Sequence, residues 1–439
     1  MALLPFYLLL GLMIIGMPVT FALLVGPGIA LFIADQIGAL RLPVERLHGM
    51  MQSFLFDGIE SFPLMAVPFF ILAGEVMNRG NITFNLVQFS RSLIGHLRGG
   101  LAQVNVLSSI LFAGLSGSAV ADTSALGSML IPAMEKNGYS RRFAAAITAA
   151  SSVIGPIIPP SGLMILYAFV MNVSVGGLFA AGIIPGLMVG GGGLMVMTWY
   201  MAKKRDFPVA NRRATWRERG QATKQAIWPL LAPVILLGGI LSGFFTPTQA
   251  AAVAAAYAFI VSMAIMRSLK LKDVPSVLWS AAFSSGVILL LVAAARVFAA
   301  VLAPPPFQTA MVLGEFVTAL TDNPLVLLFL INILLFIVGM FLDAGPAILI
   351  LGPILGPAVV SLGVDPMHFA IVMCVNVTVG LATPPMGLVL FVAASISDEK
   401  LEAIAKEILP FLAVQVVVIF LITFIPALTL TLPRWLGFL

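Results

Sequence analysis

Two proline pairs stand in matching settings, Gly155-Pro-Ile-Ile-Pro-Pro160-Ser and Gly380-Leu-Ala-Thr-Pro-Pro385-Met-Gly. Each interrupts an apolar run, Ser151–Ala168 and Asn376–Ala393. Proline lacks an N–H and its ring clashes with the carbonyl four residues back, so a pair of prolines opens a helix and releases backbone carbonyls. Within a bilayer such carbonyls cannot face lipid. They are satisfied by protein, by water in a cavity or by a ligand. A desolvated Na⁺, which prefers oxygen donors, is one such ligand. The helix N-termini created at the same breaks present N–H groups suited to an anion. The chemistry to expect is therefore coordination of a small cation with an anion cavity beside it.

Composition says which elements must position these residues. Of 439 residues 60% are hydrophobic and 9% are charged, with mean hydropathy +1.10. Soluble domains carry roughly 25% charged residues, so the main solvent is hydrocarbon, in which each crossing takes about 20 apolar residues. Phe143 to Ala202 contains no Asp, Glu, Lys or Arg, too long for one helix. The chain reads as an all-α bundle of about ten spans in one body. The apolar N-terminal run to Ala34 reads as a retained first span, because Met1-Ala-Leu-Leu-Pro lacks a basic n-region. Cys374 is the only cysteine, which excludes a disulfide framework and a Cys-based metal site. The net charge of +5 comes mostly from loops and reports topology; no nucleic-acid partner is expected.

The basic clusters Lys203–Lys224 and Arg267–Lys272 belong on the cytoplasmic side. Two spans, about 226–242 and 246–266, lead out and back between them. Tracing backward, Arg91, Arg98, Lys136, Arg141 and Arg142 put both ends of 101–134 inside. That stretch, with Leu-Ser-Gly-Ser at its middle, reads as a re-entrant hairpin. The N-terminus is then cytoplasmic, and Arg41 and Arg46 fall outside against the rule. Tracing forward, Pro275 to Ser397 holds only Arg296 among Lys and Arg, so its loops are external. The stretch 324–358, broken around Gly339–Gly345, reads as a second hairpin entering from the other face. A last span ends near Pro433-Arg-Trp, which makes the C-terminus periplasmic.

A shift of 225 positions aligns the two halves. Gly114 falls on Gly339, Pro132-Ala133 on Pro357-Ala358, Gly155 on Gly380, Pro159-Pro160 on Pro384-Pro385, and Gly162-Leu163 on Gly387-Leu388. With hairpins entering from opposite faces, this is an inverted-topology repeat, which points to a secondary-transporter binding site where the discontinuous helices match.

At these residues the sequence resembles the large membrane subunit of tripartite ATP-independent periplasmic (TRAP) transporters. The resemblance is carried by Gly114-Leu-Ser-Gly-Ser-Ala-Val-Ala-Asp-Thr-Ser-Ala-Leu-Gly, Ser151-Ser-Val-Ile-Gly-Pro-Ile-Ile-Pro-Pro-Ser, Gly339-Met-Phe-Leu-Asp and Gly380-Leu-Ala-Thr-Pro-Pro-Met-Gly. It extends over nearly the whole chain. It implies an elevator-type, Na⁺-driven importer of organic acids (sialic acid, C4-dicarboxylates or keto acids) in the bacterial inner membrane. Its partners would be a separate small four-helix membrane subunit and a periplasmic substrate-binding protein. Residues 101–172 and 324–397 would form the transport unit. Residues 1–100, with an amphipathic arm helix, and 173–323 would be scaffold, with a cytoplasmic basic loop at 203–224, and 398–439 would be the C-terminal arm and last span.

In that context Ser116 and Ser118 at the first hairpin tip are candidate Na⁺ ligands, with the carbonyls of Gly155, Ile158 and Pro160 as companions. The mirrored site would use Gly339, Asp343, Gly380, Thr383 and Met386. Ser118 aligns with Asp343, so one site has a neutral oxygen where the other has a carboxylate. Asp122, the only charge between Gln103 and Met134, either contacts substrate or caps the second hairpin helix. Ser161, Asn376 and Thr378 either contact substrate or make packing bonds. Arg296 either grips a substrate carboxylate bidentately, or snorkels or pairs with an acid such as Glu75. His48, His96 and His368 flank loops and read as surface or supporting groups.

The rival reading is a standalone Na⁺-coupled dicarboxylate or citrate carrier with the same hairpin logic. An enzyme is not expected: the chain has no His-Glu-x-x-His, no suitably spaced intramembrane acidic pair and no nucleotide loop. Two closed hairpins from opposite faces suit alternating access better than a continuous pore.

Overall fold

The computed structural model describes residues 1–40, 44–60, 62–80, 82–205, 207, 213–309, 311–312, 321 and 323–439. Among them the regular elements are helices, with no strand. The first half runs α1 (Leu4–Ile14), α2 (Val19–Gln36), α3 (Val44–Asp57), α4 (Ala66–Arg79), α5 (Ile82–Ile94), the hairpin α6–α7 (Gly100–Ser116, Ala119–Lys136) and the broken helix α8–α9 (Arg141–Ser152, Gly162–Met171). Then come α10 (Val175–Lys204), α11 (Trp216–Leu241), α12 (Pro247–Ile265) and α13 (Val274–Leu302). The second half supplies the hairpin α14–α15 (Pro324–Phe341, Ala344–Ser361), the broken helix α16–α17 (Pro366–Gly380, Leu388–Ser397), α18 (Leu401–Phe424) and α19 (Ala427–Trp435). Eight described helices are long and apolar enough to cross a membrane. The protein is an all-α polytopic membrane protein with inverted repeats, each a re-entrant hairpin followed by a broken helix.

Local chemistry sets the helix starts, and it repeats at the same register. Ser118 and Asp343 both cap the second helix of a hairpin: Ala121 N–H donates to Ser118 Oγ, and Ala344 N–H donates to Asp343 Oδ1 at 2.8 Å. Ser140 and Asp365 both cap the first half of a broken helix. Each such cap contributes about 1 kcal/mol. At the first tip Gly117 adopts φ +59°, a left-handed conformation that a β-carbon would strain. Both Pro-Pro bonds, Pro159–Pro160 and Pro384–Pro385, are cis.

The halves interlock. Helix α9 of the first broken helix packs on α15 of the second hairpin, and its mirror α17 packs on α7 of the first. Within each half, buried amide and hydroxyl groups join the hairpin to its broken helix. Asn105 donates to Thr148 Oγ1 (2.6 Å), and Ser109 donates to Ser151 Oγ (2.9 Å). In the other half Asn376, the mirror of Ser151, donates to Asn332 Oδ1 (2.6 Å). Interhelical hydrogen bonds in membranes contribute about 0.6 kcal/mol each, so these bonds specify register more than they supply stability.

Some elements differ from the sequence reading. The apolar N-terminal run is two helices, broken at Gly16-Met-Pro18, where Gly16 takes φ +92° and Pro18 ends in an extended conformation. The final span also stops early, at Phe424. Pro426 starts a separate short helix, α19, that packs along α10. His368 is buried rather than at a surface: its ring nitrogens lie 2.7 Å from Thr429 Oγ1 and 3.1 Å from the Thr423 carbonyl oxygen, tying α16 to α18 and α19. Arg41 and the side chains of Arg46 and His48 lie outside the described residues.

Candidate functional site

The two hairpin tips meet over one cavity of about 430 Å³. Ser116, Gly117 and Ser118 line it from the first tip, and Asp343, Ala344 and Gly345 from the second. Pro160 and Leu381 come from the two breaks, while Ile288 and Leu291 of α13 with Phe70 and Ile71 of α4 close the far wall. The 225-residue symmetry thus becomes spatial. Each tip and each break contributes to a shared chamber.

At the first half, tip and break are in direct apposition. The Pro160 carbonyl oxygen stands 3.2 Å from where a β-carbon on Gly117 would be. Ser116 Oγ donates to Asp122 Oδ1. Asp122 is fully buried, and its second oxygen, Oδ2, has no hydrogen-bond partner. That oxygen packs on Gly155, whose missing β-carbon would lie 2.6 Å from it. The group is a desolvated carboxylate, one hydroxyl and the carbonyls of an opened helix, all oxygen, which suits a hard cation such as Na⁺.

The second half is built differently. Gly339 and Gly380 cross backbone to backbone, so closely that a β-carbon on Gly380 would meet the Gly339 Cα and C at 2.6 Å. Asp343 is exposed to the cavity, and Thr383 Oγ1 donates to the Val379 carbonyl (3.0 Å). Met386 is 53% exposed. In the first half Gly114, the mirror of Gly339, packs instead on Pro233 of α11.

The residues expected to touch substrate, Asp122, Ser161, Arg296, Asn376 and Thr378, are absent from the cavity lining. Asp122 sits behind the first tip and is not its cap, because Ser118 fills that position and Asp122 lies within the helix. Ser161 Oγ caps α9, accepting from Met164 N–H (3.3 Å). Asn376 bonds Asn332, and Thr378 Oγ1 donates to the Cys374 carbonyl (2.6 Å). The guanidinium of Arg296 lies 4.6 Å over the ring of Phe169, so it stacks on an aromatic face and does not use Glu75 as its anchor. Sequence reasoning missed the link between Asp122 and Gly155. The signal was available in the absence of a β-carbon at Gly155, but only the three-dimensional approach gives it meaning.

A prediction follows for Arg296. A cation–π contact at such a site is worth about 0.5–1 kcal/mol. Arg296→Lys should therefore lower the unfolding midpoint slightly while the substrate concentration dependence of uptake stays within about twofold. A large loss of apparent substrate affinity would restore the bidentate role.

The family model for the DctM component of tripartite ATP-independent periplasmic transporters matches residues 6–428. The chain belongs to this family. The large permease is 38% identical to the sialic acid TRAP transporter large permease protein SiaM of Vibrio cholerae, over 98% of both chains. It is 41% identical to the C4-dicarboxylate TRAP transporter large permease protein DctM of Pseudomonas aeruginosa, over 87% of this chain and 89% of the relative. Two solved structures share the fold at low identity. The YdaH transporter of Alcanivorax borkumensis matches with TM-score 0.61 and 18% identity, over 90% of this chain and 89% of that one. MtrF of Neisseria gonorrhoeae matches with TM-score 0.63 and 13% identity, over 93% and 95%. The large permease is a multi-pass membrane component of an organic acid TRAP transporter.

Proposed function

We propose that this large permease is a Na⁺-coupled importer subunit that carries an organic acid across the inner membrane by an elevator movement. The observation that carries the reading is the shared chamber: two mirror-related breaks and two hairpin tips converge on it, and its lining contains no Lys, Arg or His. An anion held there needs positive potential from elsewhere. The N-termini of α7 and α15 supply part of it, and two bound Na⁺ supply the rest. The first Na⁺ is held by Ser116, Ser118 and the carbonyls of Gly155, Ile158 and Pro160, with Asp122 completing the charge. The second is held by Gly339, Asp343, Gly380, Thr383 and Met386. Coupling follows: the anion binds well only when both cations are present, so Na⁺ entry drives uptake.

In this reading 101–172 and 324–397 move as one unit against the scaffold, the interlocked contacts of α9 with α15 and α7 with α17 holding the unit together. The N-terminus is cytoplasmic and the C-terminus periplasmic. Substrate arrives from a periplasmic binding protein, and a separate four-helix subunit extends the scaffold.

Asp343→Ala tests the ion reading. In vesicles the Na⁺ activation curve should shift to roughly tenfold higher concentration, as expected for losing one charged ligand of a partly solvated site. Unchanged Na⁺ activation would remove Asp343 from the site. Uptake by the purified permease alone, without a binding protein, would favour the standalone carrier instead.

A further inference from the structure

A second, smaller cavity of about 260 Å³ adjoins the chamber. The two share Ile71, Ser116, Ser118 and Ile288 in their linings, so they lie side by side with those four residues between them. The new end sets a few polar side chains of α4 and α13 in a largely apolar wall. Glu75 and Asn78, three residues apart on α4, face it together with Ser284 of α13. Neither lining contains a Lys, Arg or His. The nearest cations on these elements are committed elsewhere: Arg79 donates to Ser276 Oγ (2.8 Å) and Ser280 Oγ (3.3 Å), and Arg296 covers Phe169.

From this we infer the substrate class: a monocarboxylate that carries hydroxyl groups at the end remote from its carboxylate, read by Glu75, Asn78 and Ser284. The inference rests on the importer reading above and narrows it. The tip end can accept one anionic group, against helix N-termini and cations. A second carboxylate at the other end would face Glu75 with no cation in the lining, and two like charges so confined repel. A hydroxyl meets the same carboxylate as a donor, and a hydrogen bond to a charged acceptor is among the stronger ones. Asn78 offers both a donor and an acceptor, and Ser284 a further hydroxyl, which suits several hydroxyls on one chain. A plain aliphatic acid would leave these groups unpaired on binding, at a cost.

The test uses the purified large permease in lipid nanodiscs and three probes: gluconate, succinate and propionate, followed by saturation-transfer NMR in Na⁺ and in choline buffer. Gluconate should bind in Na⁺ about tenfold more tightly than either of the others. Glu75→Gln should reduce the gluconate-over-succinate preference by about tenfold, since the repulsion of the diacid is removed. Ser284→Ala should weaken gluconate severalfold and leave succinate unchanged. Both variants are checked for a wild-type unfolding midpoint. Tighter binding of succinate than gluconate, or a preference unaltered in both variants, overturns the inference and leaves the importer reading standing. Binding of none of the acids in Na⁺ overturns the importer reading and this inference with it.

Discussion

Asp122→Asn should raise the Na⁺ concentration needed for half-maximal stabilisation by about a hundredfold. The carboxylate is fully buried, one oxygen accepts from Ser116 and the other has no partner but faces Gly155. An unpaired charge in such a place costs several kcal/mol, and a cation seated between Oδ2 and the opened helix removes that cost. Asparagine keeps the shape and loses the charge. Two effects therefore follow. In Na⁺-free buffer the variant should unfold at a temperature no lower than wild type, because no buried carboxyl remains that must either hold a proton or leave a charge unpaired. On addition of Na⁺ it should gain far less, by about 3 kcal/mol. Unfolding midpoints of the detergent-solubilised protein across a Na⁺ series measure both. Parallel curves for wild type and variant would sink the proposed role of Asp122.

Gly380→Ala carries the second large effect. Its β-carbon would stand 2.6 Å from the Gly339 backbone, and Gly339 is equally constrained, 2.8 Å from the Val377 carbonyl oxygen. Backbone cannot swing aside as a side chain can. The second hairpin must lift from its broken helix, disturbing the Asn332–Asn376 bond beside it and the proposed ligands Gly339 and Gly380. A loss of about 3 kcal/mol and of Na⁺-stimulated uptake is expected. Gly238→Ala is the control, since nothing lies within 4 Å of its would-be β-carbon. In the last turn of α11 that change should leave the midpoint unchanged or raise it slightly. Equal midpoints for the two variants would show that the crossing is not tight.

The hairpins and broken helices were legible because their signals are local and repeat. The capping positions 118/343 and 140/365 and the proline pairs recur at one offset, and the structure has a helix start or a break at each. The termini were less legible. Gly16-Met-Pro18 and Pro426 sit within apolar sequence, and mean hydropathy does not distinguish a helix that continues from one that turns and resumes. The side chains weighed between substrate contact and packing bonds make packing bonds here, for a common reason. A polar group in an apolar run must find a partner, and Ser161, Asn376 and Thr378 found theirs in a helix start, a neighbouring amide and a carbonyl one turn back. Glu75 was weighed only as a partner for Arg296, because the sequence does not say which helix faces which. Its position on the cavity wall comes from the packing of α4 against α6 and α13.

The exchange of partners between halves bears on how the chain is made. Helix α9 is synthesised long before α15, the surface it rests on, and α7 long before α17. When the first repeat leaves the insertion machinery it therefore has an apolar flank awaiting a segment not yet translated. Completion of either repeat waits on the other, and the membrane holds a half-built body until the last third of the polypeptide arrives.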